Sequence, residues 1–62
     1  MTIIQYATLR NRIDGILGSG SPAKLKENRL ASLLDDLLIG FASSDRYARD
    51  LYQEVYMEID NL

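Results

Sequence analysis

Two residue types that carry much of the chemistry of small proteins are absent: the 62-residue chain has no cysteine and no histidine. Without cysteine there is no disulfide and no thiolate to hold a structural metal. Without histidine, the commonest metal ligand and the usual general base near neutral pH are gone. An enzyme needs a nucleophile–base pair or a metal site, and neither is visible in what remains. No catalytic, cofactor-binding or metal-binding residue is therefore expected, and the chain reads as a non-enzyme. Long apolar runs are also missing, since no stretch approaches the roughly 18 residues of a membrane span. The N-terminus has no basic segment ahead of an apolar core, so no signal peptide is expected and the cytoplasm is the default location.

These absences bear on stability. A chain of this length buries only about 60% of its unfolded surface, so a lone core is marginal. With disulfides and metals excluded, the usual remedies are oligomerisation or unusually close helix packing. Hydrophobic residues make up 47% of the chain, a globular composition sufficient for one domain over residues 1–62.

The densest apolar pattern lies between Ser21 and Phe41. At about 100° per residue, Leu30, Leu33, Leu34, Leu37 and Phe41 share one sector with Leu38 at its edge. Ser21 reads as the N-cap and Pro22 as the first helical residue. Two overlapping Leu-x-x-Leu-Leu patterns run from Leu30 to Leu38, and helical periodicity alone accounts for them. Before this helix, Tyr6, Leu9, Ile13, Ile16 and Leu17 fall on one face of a first helix. Gly18-Ser19-Gly20-Ser21 separates the two, with Gly18 suited to a left-handed C-cap. A phosphate loop is a poor match there, because no strand precedes it and no Gly-Lys-Ser/Thr element follows. After Gly40, Ser44 is the preferred cap of a third helix, with Ser43 next. Ala48, Leu51, Val55 and Ile59 form its apolar face. The expectation is an all-α three-helix bundle with helices at 2–17, 22–41 and 44–60. One kinked helix through Phe41 is the competing picture. The core is expected from Leu9, Ile13, Leu30, Leu34, Leu37, Leu51 and Val55.

The net charge of −2 is unevenly distributed. Arg10, Arg12, Lys24, Lys26 and Arg29 face only Asp14 and Glu27 in the first 31 residues. The remainder carries Arg46 and Arg49 against seven carboxylates. Within helices, Arg10 is placed to pair with Asp14, and Arg46 with Asp50, while Asp50, Glu54 and Glu58 make an acidic stripe expected to face solvent. The basic group is the candidate surface for nucleic acid. It is the second reading, because the second helix is long for a helix-turn-helix and the last is acidic.

The first reading is protein–protein interaction, as a small adaptor, regulator or assembly factor. Apolar residues fall outside the expected core face on every helix: Ile4, Leu25, Ile39 and Met57. Tyr47, Tyr52 and Tyr56 edge the last helix beside Arg49, a composition enriched at protein contacts. The expected partner is another protein or a second copy, with a two-fold homodimer the commonest closed form.

Overall fold

A computed structural model describes residues 1–62 as three helices: α1 (Ile3–Leu17), α2 (Ala23–Gly40) and α3 (Arg46–Asp60). The all-α three-helix bundle expected from periodicity is the fold. Helices α2 and α3 are separate, because Phe41 is fully extended (φ −137°, ψ 149°).

Each helix end is set by local hydrogen bonding. Helix α1 starts with a capping box. The Thr2 hydroxyl accepts the Gln5 N–H at 3.1 Å, and Gln5 Oε1 accepts the Thr2 N–H at 2.8 Å. Two first-turn donors that have no helical acceptor are thereby satisfied. At the other end Gly18 is right-handed (φ −81°, ψ −5°), not the left-handed cap expected. Ser19 makes the inversion unnecessary. Its hydroxyl donates to the Ile16 carbonyl at 2.8 Å and occupies an acceptor that a left-handed cap would serve.

Two N-caps also differ from expectation by one residue. Pro22 has ψ 153° and stands outside α2, and Ser21 makes no capping bond. The ring fixes φ alone, so proline is as compatible with the extended cap position as with the first turn. Its carbonyl accepts the N–H of Leu25 and of Lys26, at 3.0 and 3.1 Å. For α3 the cap is Asp45 and neither Ser44 nor Ser43, with Asp45 Oδ1 accepting the Ala48 N–H at 3.1 Å. Aspartate caps as well as serine does, so the packing of α3 decides between them.

Seven residues form the buried core: Ile13, Leu30, Leu33, Leu37, Ala48, Leu51 and Val55. The apolar sectors are those expected, but their centres are shifted. Leu33 is fully buried where Leu34 was expected, and Leu34 and Leu9 pack half-buried at the margin. Residues 30, 33 and 37 define the line of α2 that meets both neighbours, which leaves 34 on one flank. Helix α1 contributes only Ile13 to full burial, and the α2–α3 contact is the largest of the three. No buried polar side chain lacks a partner.

Three contacts fix the direction of α1 against α3. Met1 meets Asp45, Tyr6 meets Asp50 and Arg10 meets Glu54, each pair 44 positions apart. A constant offset means the two helices run parallel and in register. The short turns at 18–22 and 41–45 place α2 antiparallel to both.

Candidate interaction face

Helix α3 has two flanks, and each forms a seam with a different neighbour. The flank toward α1 is polar. The terminal amine of Met1 donates to Asp45 Oδ2. The Tyr6 hydroxyl donates to Asp50 Oδ2 at 2.7 Å. Arg10 engages Glu54 through both guanidinium nitrogens, Nη2 lying 3.0 Å from Oε1. A planar guanidinium fits a carboxylate in this two-point manner. The Tyr6 and Tyr47 rings meet with centroids 5.1 Å apart at a 46° tilt.

Three ionisations shift accordingly. The carboxylate of Asp50 accepts from the Tyr6 hydroxyl and raises its pKa above the ordinary phenol value. Hydrogen bonding and charge from Glu54 hold the Arg10 guanidinium still more firmly protonated. The terminal amine, then the Ala48 N–H, hold the Asp45 carboxyl below its ordinary value.

This seam corrects two expected pairings. Arg10 crosses to Glu54 instead of pairing with Asp14, and Asp50 takes the Tyr6 hydroxyl instead of Arg46. The two-point contact with Glu54 is the stronger of the pairings open to Arg10. Arg10 followed by Asp14 is also the weaker order for an intrahelical pair. Glu54 is consequently engaged with α1 and is not one of a wholly solvated stripe.

The flank toward α2 is apolar. Leu37, Leu38, Phe41, Ala42, Ser43, Ala48, Arg49, Tyr52 and Gln53 line an open groove of about 350 Å³. It runs on past Tyr52 and Gln53 to Tyr56 and Met57. Leu38 is 63% exposed, Tyr56 57% and Met57 62%. Of the eight residues expected at an interface, the groove gathers Arg49, Tyr52, Tyr56 and Met57. Tyr47 stands on the α1 flank instead, against Tyr6. Ile4, Leu25 and Ile39 are exposed but do not line the groove. The other lining residues, Leu38, Phe41 and Gln53 among them, were not assigned to the face from sequence. Leu38 at the edge of the α2 sector was the one available signal.

Of the five basic residues, two share a cleft. Arg10 is bound to Glu54. Arg12 and Arg29 line an open polar cleft of about 380 Å³ with Gly15, Ile16 and Ser32, and neither forms an ion pair. Lys24 and Lys26 lie outside that cleft. No group of three or more acidic side chains converges as metal ligands. No helix is long and apolar enough to cross a membrane. The chain matches no family model, no curated protein and no solved structure.

Proposed function

We propose that the chain is a non-enzymatic protein–protein interaction module, an adaptor, regulator or assembly factor, that receives its partner on the α2–α3 face. The observation that carries this is the apolar strip that runs from exposed Leu38 through half-buried Phe41 and Tyr52 to exposed Tyr56 and Met57. Water solvates such a strip poorly, and contiguous apolar patches of this kind mark contact sites. Tyrosine suits the role because its ring is buried on contact while its hydroxyl stays wet. Arg49 supplies a charged rim that adds orientation.

A photo-crosslinking residue at Gln53, compared with one at the exposed Asp36 outside the groove, tests the proposal in the cells that make the protein. Products confined to the Gln53 probe are expected. Equal products, or none, from both positions would remove the α2–α3 face as the contact.

The second reading, nucleic-acid binding, draws support from the unpaired Arg12 and Arg29 that share one cleft. With Arg10 held by Glu54, the remaining charge favours only weak, salt-sensitive retention of duplex DNA or structured RNA. Nanomolar binding lost on replacing Arg12, Lys24, Lys26 and Arg29 would promote it to first place.

A further inference from the structure

We infer that the occupant of the α2–α3 face is a second copy of this chain, docked through antiparallel pairing of α3 with α3 about a two-fold axis between Glu54 and Val55. This rests on the α2–α3 face being an interaction surface and names what covers it.

The first observation is which charges on α3 are already used. Asp45, Asp50 and Glu54 all turn toward α1, where Met1, Tyr6 and Arg10 engage them. The chain has two ion pairs, Met1–Asp45 and Arg10–Glu54, and neither involves Arg49 or Asp60. Both side chains are exposed and make no hydrogen bond within the chain. Arg46 and Glu58 are likewise in no ion pair, and on the outward face Arg49 and Asp60 put a free cation toward the start and a free anion at the end.

The second observation is their spacing. Arg49, Gln53, Tyr56 and Asp60 follow one another at steps of four, three and four, which places them on one stripe of the helix. The stripe begins one step earlier at Arg46, and its segment from Arg49 to Asp60 is symmetric about the midpoint between residues 54 and 55. An antiparallel second copy sets Arg49 against Asp60 of its mate, twice per dimer, and Gln53 against Tyr56. Tyr52, on the flank nearest α2, then lies beside the second copy's Tyr56 over the groove. A parallel pairing in register would oppose arginine to arginine and aspartate to aspartate, an unfavourable juxtaposition. Complementarity to itself is a requirement that a foreign partner does not impose. An isologous two-fold contact does impose it.

Sedimentation velocity on Arg49→Asp, Asp60→Arg and their equimolar mixture tests the inference. The parent is expected to sediment as a dimer. Each variant opposes like charges to itself at both ends and is expected to dissociate at least about tenfold more readily. The mixture restores opposite charges at both ends and is expected to recover the dimer as a heterodimer. As an arm independent of charge, the cysteine-free background allows Gln53→Cys and Tyr56→Cys chains to be mixed and oxidised. A disulfide between the two different chains is expected, and disulfides only between identical chains would overturn the antiparallel register. A parent that stays monomeric to millimolar concentration overturns the second copy as occupant. If the Gln53 probe still crosslinks a different protein, the interaction face stands and only its occupant is wrong. A monomer with no crosslink removes both.

Discussion

At the scale of single residues, burial in this bundle turns on shifts of one position. Leu33 is fully buried, and Leu34 beside it is half-buried on the flank. Leu33→Ala is expected to lose about 2–5 kcal/mol, since it removes buried methyl groups and leaves a void. Leu34→Ala loses less, because solvent already reaches part of its side chain. Urea denaturation of the two variants checks the order, and equal losses would show that the α2 core line is misplaced. Periodicity made the apolar sector of α2 legible, including both leucines. It did not rank them, because five apolar positions within one sector satisfy the same pattern and only the direction of α1 and α3 selects among them. Asp45 is a different kind of residue-scale feature. Its carboxyl is held below the ordinary value, so its ionised form stabilises the fold fully above the unfolded pKa, near 4. That contribution is lost as pH falls below about 4 and through the folded value. Asparagine also caps helices but carries no charge. The stability gap between parent and Asp45→Asn is therefore expected to be widest near neutral pH and to close on the acid side. Melting temperatures of both proteins from pH 7 to pH 2 measure it, and a gap constant with pH would mean the charge of Asp45 does not stabilise the fold.

At the scale of elements, the three helices and both breaks were readable from apolar spacing and from the Gly-Ser and Ala-Ser-Ser clusters between them. The caps were less so. Ser21, Ser44 and Asp45 are all competent caps, and one residue of helical phase decides which is used. The capping box at Thr2 and Gln5 was legible in principle, as a threonine three residues ahead of a glutamine, and was not assigned from the sequence. Its removal gives an element-scale test, with Thr2→Ala expected to destabilise α1 by about 0.5–2 kcal/mol. Gly15 should act in the opposite sense. It lies inside α1 with negative φ, and a Cβ there meets no atom within 4 Å. Gly15→Ala is therefore expected to stabilise by about 0.5–1 kcal/mol, because alanine loses less backbone freedom on entering a helix. Thermal unfolding of both variants should move the midpoint in opposite directions. A fall for Gly15→Ala would mean that position 15 needs to remain open, as part of the lining of the Arg12–Arg29 cleft.

At the scale of the whole molecule, the basic first half and acidic second half meet inside one chain. The parallel register of α1 and α3 brings Arg10 to Glu54 and the terminal amine to Asp45. Nothing in the charge distribution alone distinguished this from a meeting between two chains, because helix direction depends on turn geometry as well as on charge. Among what the internal pairing leaves over are Arg49, Asp60 and the tyrosine-edged groove, and these bear on stability as well as on contact. Seven buried residues are a small core, with α1 inserting only one of them. If covering the groove completes that core, folding and association are coupled, and the melting midpoint must rise with chain concentration. At about 0.7 kcal/mol of unfolding enthalpy per residue, a two-chain unit of this size shifts by roughly 10 °C for a hundredfold change in concentration. Scanning calorimetry and circular dichroism from micromolar to millimolar chain measure that slope. Met57→Asp places a charge beside the groove without touching the core and should lower and flatten it. A parent midpoint that does not move with concentration would show that α1, α2 and α3 are stable on their own seven residues.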